Sequence, residues 1–353
     1  MSEITSPPPA QGPAVGTQRG LGESEGNWVG RLWSIPATRA LVALTFVLLI
    51  GFLFNANGAF FKLGTHRDAL RQASVFGILA CGLTLVIISG GIDLAVGSIL
   101  ALVSVSFSLM SIHWGWSPWV ALPTSLILGL ACGAVSGAVT AGFGIQPFIA
   151  TLAMMVFARG LAKTVSGGMK VSTAVKNADG TYRYVEVPRV FQFIDSRIFG
   201  GHLAVVTLIF LVCAVVAGIV LARHCWGRHL YAIGGNEQAA RLSGVPVTWA
   251  KVLAYGASGL LAAVAGICQA AQEQQGDPEA GIGYELTAIA IVVIGGTTLA
   301  GGRGSIGLTL LGTLTIGYLE KILSINAVPE ASRLMLTGII IVVAVLAQKR
   351  GRT

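Results

Sequence analysis

Charged residues are scarce in this chain of 353 residues: Asp, Glu, Lys and Arg make up 11% of the sequence, whereas hydrophobic residues make up 54%. Soluble domains are about a quarter charged, so this composition excludes a soluble globular protein. It predicts an all-α polytopic membrane protein, and the 47 glycines agree, because small residues let membrane helices pack closely. The net charge of +8 would suggest nucleic-acid binding in a soluble protein. In a membrane protein it indicates that basic residues lie in cytoplasmic loops, where they contact anionic lipid.

Motifs for catalysis and nucleotide binding are also missing. The chain has no GxxxxGK(S/T) phosphate loop and no HExxH zinc motif. A GxGxxG match at 302–307 lies between two apolar runs, whereas a dinucleotide site needs a soluble βαβ unit. The five cysteines form no CxxC pair, so packing is their default role. We expect this chain to carry no catalytic residue, no metal site and no cofactor.

Apolar runs long enough to cross a bilayer as a helix recur along the chain. We predict one transmembrane domain, 31–353, preceded by a disordered cytoplasmic tail over 1–30 that is rich in Pro, Gly, Ser and Gln. Basic residues near both ends of this domain and acidic residues such as Glu273 and Glu279 in opposite loops place both termini in the cytoplasm. The ten predicted spans lie near 36–56, 69–89, 94–113, 118–142, 146–165, 203–222, 251–271, 284–301, 304–323 and 331–347. The sequence leaves open where 284–323 breaks, because this region is apolar on both sides of 301–304.

Two loops between the spans are long. Segment 166–202 falls on the outer side, and its centre alternates in polarity around Asp179-Gly180, which is a hairpin turn signal. We expect a small β-hairpin there, which either covers the mouth of the protein or contacts a soluble partner. Segment 223–250 falls on the cytoplasmic side.

Small residues recur every four positions at Gly129, Gly133, Gly137 and Ala141. Such a face permits close contact between helix backbones. We expect it to pack against another helix of the same chain rather than to form a dimer.

Segments 85–102 and 291–312 resemble each other around paired glycines. Transporters are often built from internal repeats of this kind. Glycine-rich helices also resemble one another by chance, so the sequence leaves both explanations open.

Among the charged residues within or next to the predicted spans, we single out Asp93 and Arg159, because an ionisable side chain at membrane depth is costly and by default functional. Asp93 follows Gly90-Gly91 and precedes a new helical run, so we interpret it first as the N-cap of a helix that begins inside the membrane. A proton relay is the alternative role for Asp93. Arg159 lies within a span, one turn before Lys163, and either faces a polar pathway or extends to the outer interface.

The longest polar stretch with a helix pattern is 227–247. Asn236 is a good N-cap, and Glu237 places negative charge at the positive end of the helix dipole. Gly244 marks the helix end, and Pro246 prevents continuation. A helix over 236–244 is too short to be stable alone, so it needs a partner surface, or else the stretch is an ordinary loop between spans.

Several blocks of sequence, read in order from about residue 70 to the C-terminus, resemble the permease subunit of ribose-type sugar ABC importers, a family of binding-protein-dependent transporters. The outer loop 166–202 departs from the family pattern. The blocks are 82–87 (GLTLVI), 90–98 (GGIDLAVGS), 146–152 (QPFIATL), 234–237 (GGNE), 241–244 (RLSG), 283–286 (GYEL), 295–297 (GGT) and 299–302 (LAGG).

The resemblance implies a multi-pass protein of the bacterial inner membrane that acts with other subunits. A second permease copy, identical or a close paralogue, would pair with it. Two cytoplasmic ATPase subunits would bind the ATP, and a periplasmic sugar-binding protein would deliver the substrate to the side that carries loop 166–202. The loop 223–250 would then be the coupling loop to the ATPase.

The residues themselves and the resemblance together give candidate roles for individual positions. The residues expected at the ATPase contact are Asn236, Glu237, Ala239, Arg241, Leu242 and Gly244. The candidates for the translocation pathway or for breaks in the spans are Asp93, Gln146, Thr151, Arg159 and Glu285. Two alternatives stay open: a branched-chain amino-acid permease of related architecture, and a secondary transporter driven by an ion gradient through Asp93 and Arg159.

Overall fold

The structure is a computed structural model that describes residues 35–176 and 179–350, with only the backbone described for residues 176, 341 and 343–350. The predicted tail, 1–30, lies outside the described residues. Helices form most of the described chain, and the sheets found there are two short two-stranded hairpins. The predicted all-α polytopic fold is confirmed.

Thirteen α-helices are described between residues 35 and 350. They are α1 (Pro36–Leu53), α2 (Leu63–Ile88), α3 (Val96–Ser108, followed by a π-helical turn over Leu109–His113), α4 (Pro118–Gly142), α5 (Pro147–Ser166), α6 (Arg189–Asp195), α7 (Val205–Arg223), α8 (Cys225–Gly235), α9 (Glu237–Leu242), α10 (Val247–Glu273), α11 (Tyr284–Ile294), α12 (Ile306–Ile325) and α13 (Glu330–Arg350).

Among the described helices, eight are long and apolar enough to cross a membrane: α1, α2, α3 with its π-helical turn, α4, α5, α7, α10 and α12. Each of them overlaps one of the predicted spans. Helix α13 coincides with the last predicted span, 331–347.

The continuous span predicted over 284–301 needs correction. Helix α11 has 11 residues, or about 16 Å at ~1.5 Å per residue, which is about half the thickness of the hydrocarbon core. The backbone then turns left-handed at Gly296 (φ 102°), Gly301 (φ 86°) and Gly302 (φ 71°). Glycine adopts this conformation readily and a regular helix does not contain it, so the segment is a half-length helix followed by a glycine-rich turn.

Helices α4 and α10 lie closer together than ordinary side chains allow. A Cβ atom at Gly133 would overlap the backbone oxygen of Tyr255, and one at Gly259 would overlap the backbone oxygen of Gly129. Only glycine lets the two backbones meet at this distance. The prediction that the small-residue face packs within the chain is confirmed.

The two segments that resemble each other, 85–102 and 291–312, share a helix–break–helix form. Helix α2 ends at Ile88 and α3 begins at Val96, while α11 and α12 are separated by residues 295–305. The two breaks touch, because the Gly302 N–H donates a hydrogen bond to the Ile88 carbonyl at 2.9 Å. This common form agrees with an internal repeat, which stays a prediction.

The predicted β-hairpin is present in segment 166–202. Strand β1 (Ala174–Lys176) pairs antiparallel with β2 (Tyr182–Tyr184), with Ala174 opposite Tyr184. Two further short strands, β3 (Arg197–Ile198) and β4 (Leu203–Ala204), pair just before α7.

The hairpin and helix α9 mark opposite ends of the bundle. Helix α10 begins beside α9 and ends at Glu273, close to Gly276, which forms a β-bridge with Val171 just before β1. Near the hairpin, residues 276–283 lie against α5 and the loop that follows it. Lys163 of α5 pairs with Glu279 at 2.6 Å, and Lys170 of the loop pairs with Asp277 at 2.9 Å. The backbones of Val171 and Gly276 form a β-bridge there. We call these two ends the hairpin end and the α9 end.

Candidate functional site

Helix α9 has the boundaries that its sequence predicts. The Asn236 side-chain oxygen accepts a hydrogen bond from the Ala239 N–H at 3.0 Å, which is the geometry of an N-cap. Gly244 follows the helix with φ 83°, a conformation that ends a helix without strain in glycine. The predicted cap and end are both confirmed.

One face of α9 packs on the bundle and the other is bare. Ala240 is buried, whereas Ala239, Arg241 and Leu242 are exposed, and the Leu242 side chain is 90% exposed. Leu242 lies outside the membrane helices and between polar neighbours, so contact with lipid does not account for its exposure. Trp249, at the start of α10, is 70% exposed and extends the apolar surface at this end.

An ion pair joins α9 to the second turn of α10. The Lys251 ammonium donates to Glu237 at 2.6 Å, and Arg241 approaches the same carboxylate at 3.3 Å. Partial burial raises the pKa of Glu237, but the hydrogen bonds and charges of Lys251 and Arg241 outweigh it, so the pKa lies below its ordinary value. A depressed pKa means that this pair stabilises the fold at neutral pH and loses its effect as the pH falls through that pKa.

Asp93 is fully buried in the break between α2 and α3. One carboxylate oxygen accepts from the Ala95 N–H at 3.0 Å, and the other accepts from the Ser258 hydroxyl of α10 at 2.8 Å. The helix N-cap is Ala95, so the predicted N-cap position of Asp93 was wrong by two residues. Its side chain still satisfies the backbone at the start of α3 and, in addition, ties the break to α10.

Two more side chains hold the same break. Thr151 of α5 is buried, and its hydroxyl lies 3.4 Å from the Ile92 carbonyl, while the Tyr255 hydroxyl of α10 lies 3.4 Å from the same oxygen. Asp93 and Thr151, both predicted as candidates, therefore meet at one place. Gln146 does not join them, because it is exposed at the N-cap of α5.

Arg159 and Glu285 lie at a second break, formed by residues 276–283. The Arg159 guanidinium donates to the carbonyls of Pro278 and Ala280 at 2.6 and 2.7 Å. Arg159 therefore fastens this segment rather than extending freely to the outer interface. Glu285, in the first turn of α11, lies beside Gly97, where a Cβ atom would come within 2.6 Å of its carboxylate.

Sequence reasoning missed three of these contact residues, Lys251, Tyr255 and Ser258. They lie in or beside a continuous apolar run, and each is an isolated polar residue there, so none of them forms a recognisable motif. Their spacing of four and three is the available signal, because residues so spaced share one face of a helix.

The comparisons with known proteins identify the family. Residues 67–345 match the family described as branched-chain amino acid transport system / permease component. The chain belongs to this family. A ribose import permease protein of Escherichia coli K12 is 39% identical over 316 residues, covering 88% of this chain and 93% of that protein. No solved structure matches the chain.

Other relatives carry the names of different sugars. A fructose import permease protein of Rhizobium meliloti is 33% identical over 320 residues, covering 89% of this chain and 85% of that protein. An L-arabinose transport system permease protein of Escherichia coli K12 is 33% identical over 329 residues, covering 92% and 94%. These relatives are transport permeases, and the chain is a multi-pass inner-membrane permease like them.

The role of Asp93 can be tested by substitution. We expect Asp93→Asn to retain most transport, because Asn offers an oxygen to the Ala95 N–H and an amide to the Ser258 hydroxyl. Asp93→Leu should lower the free energy of unfolding by at least ~1 kcal/mol, since it leaves two buried donors without an acceptor. Uptake and thermal stability in detergent measure the two effects. Loss of uptake in a stable Asp93→Asn protein would show that the charge is required, which favours a proton relay.

Proposed function

We propose that this chain is the membrane-spanning subunit of an ATP-driven importer of a monosaccharide. Relatives named for ribose, fructose and L-arabinose each match most of its length, which supports a sugar of this size class. The observation that carries the coupling to ATP is α9, a capped surface helix that presents Leu242 at the end of a bundle of membrane helices.

The proposed partners follow from this role. Two ATPase subunits bind the ATP and receive α9, since this chain contains no phosphate loop. A binding protein delivers the sugar at the hairpin end, and a second permease, identical or closely related, completes the pathway. The α9 end is then cytoplasmic and the hairpin end periplasmic.

In the proposed mechanism, ATP acts on the permease by displacing helix α9. Closure of the ATPase pair on ATP shifts α9, and the ion pair between Glu237 and Lys251 passes that shift to α10. Since α10 contacts α4 through glycine backbones and contacts the break at Asp93, its movement repacks the bundle between two arrangements. The sugar is selected mainly by the binding protein, so the pathway itself need not bind it tightly.

The branched-chain amino-acid alternative is distinguished by substrate. The binding protein that delivers substrate to this permease should be identified, purified and titrated with ribose, xylose, fructose, L-arabinose, leucine and valine. We expect micromolar binding of one or more sugars and none of the amino acids. Binding of leucine or valine without any sugar would contradict the monosaccharide assignment.

The orientation gives a second test. We expect a reporter that is active only in the periplasm to be silent when fused after Thr353, because the basic segment that ends the chain favours the cytoplasm. The same reporter inserted between Asp179 and Gly180, at the tip of the hairpin, should be active. Strong activity at the C-terminus together with silence at the hairpin would reverse the proposed orientation.

A further inference from the structure

Three polar residues follow one face of α10 from the α9 end into the membrane. Lys251, Tyr255 and Ser258 are spaced by four and three residues, so they lie one above the other on the helix. The distance from Lys251 to Ser258 along the helix axis is about 10 Å at ~1.5 Å per residue. Each of the three contacts an element other than α10.

At the α9 end, Lys251 connects α10 to α9 through an ion pair. The Lys251 side chain is only 13% exposed and pairs with Glu237 at 2.6 Å. The Val245 N–H also donates to the Ala240 carbonyl, so the connection between α9 and α10 is held by backbone as well as side chains. A displacement of α9 must therefore move the first turns of α10.

Within the membrane, the same face of α10 holds the break between α2 and α3. Ser258 donates to Asp93 at 2.8 Å, and the Tyr255 hydroxyl lies 3.4 Å from the Ile92 carbonyl. Asp93 is fully buried, and a buried carboxylate is costly unless hydrogen bonds compensate for its lost water. The bond from Ser258 is therefore one that the protein cannot release without a large penalty.

Asp93 has its second oxygen on the Ala95 N–H, at the start of α3. A displacement of the Asp93 side chain would therefore also displace the first turn of α3. Gly91 lets Tyr255 of α10 approach the break closely, because a Cβ atom at Gly91 would overlap the Tyr255 hydroxyl. The geometry leaves Asp93 and Ser258 as the polar connection between α10 and a helix that begins inside the membrane.

We infer that Ser258 and Asp93 are positioning residues that transmit the movement of α9 to the start of α3, so that closure of the ATPase pair on ATP opens the sugar pathway. The inference rests on the proposed function, since it assigns how α9 acts on the pathway. The line of transmission runs from Glu237 through Lys251 and Ser258 to Asp93. Its removal should separate ATP hydrolysis from transport without dissociating the ATPase.

The test uses the full complex of permease, ATPase and binding protein in proteoliposomes, with sugar taken up per ATP hydrolysed as the readout. We expect Ser258→Ala to keep the ATPase bound and hydrolysing, and to lower this ratio by about tenfold or more, the effect of losing ~1.4 kcal/mol of hydrogen bonding to a charged group. Asp93→Ala should give the same loss, and the double variant no further loss. Asp93→Asn should restore the ratio to near that of the parent.

Ser136→Ala is the matched control, because Ser136 is equally buried but its hydroxyl bonds only to the Cys132 carbonyl of its own helix. It should leave the ratio unchanged. An unchanged ratio in Ser258→Ala would overturn the inference, as would equal losses in Ser258→Ala and Ser136→Ala. A parent complex that hydrolyses ATP without any sugar uptake would instead contradict the proposed function, so the two failures are distinguishable.

Discussion

Leu242→Asp should abolish both co-purification of the ATPase and sugar uptake while leaving the permease in the membrane at its normal level. Leu242 is 90% exposed on α9, and the side of α9 that packs on the bundle carries Ala240 instead. The substitution therefore leaves the isolated permease intact. In the complex it places a charge in a buried apolar contact, which we expect to weaken association by more than ~2 kcal/mol, or at least ~30-fold.

Two variants control for this result. Leu242→Met keeps an apolar side chain of similar volume and should retain both ATPase and uptake. Tyr184→Asp puts the same charge on an exposed residue of β2, at the opposite end of the protein, and should retain the ATPase. If Leu242→Asp kept the ATPase and transported normally, α9 would not be the coupling contact.

Gly133→Val should prevent stable folding of the permease. A Cβ atom at Gly133 would overlap the backbone oxygen of Tyr255 and come within 3.0 Å of Gly259 Cα, and neither atom can move away as a flexible side chain could. Helices α4 and α10 would have to separate along their contact. We expect a loss of ~3 kcal/mol or more, at the upper end of the range for overpacking, seen as a lower membrane level and a lower melting temperature in detergent.

Gly142→Val is the matched control in the same helix. Gly142 is the last residue of α4, and a Cβ atom there would meet no other atom within 4 Å. We expect it to fold and to melt close to the parent. Equal losses in the two variants would mean that valine disturbs α4 itself and that the close contact with α10 is not the cause.

The bundle and α9 were predictable because their signals are local. Spans follow from the length of apolar runs, and the cap at Asn236 and the end at Gly244 follow from residue types that suit those backbone positions. The hairpin at Asp179-Gly180 is local in the same sense, since a two-residue turn signal lies between alternating strands. The packing of Gly133 within the chain also followed from spacing alone.

The half-length helix α11 and the contacts of the breaks were not predictable in the same way. An apolar run does not reveal that Gly296 and Gly301 adopt positive φ angles, so the run alone predicts a continuous span over 284–301. The partner of Asp93 is Ser258, which is 165 residues away in sequence, and only the packing of α10 brings them together. For Arg159, the sequence left a polar pathway and the outer interface as alternatives. Its actual acceptors, the carbonyls of Pro278 and Ala280, carry no side-chain signal.

The most direct test of the account is uptake of labelled sugar into proteoliposomes that contain this permease, its ATPase and its binding protein. We expect uptake of a monosaccharide that requires ATP and the binding protein, and that persists when proton and sodium gradients are collapsed. Uptake by the permease alone, driven by an imposed ion gradient and indifferent to ATP, would contradict the account and favour a secondary transporter.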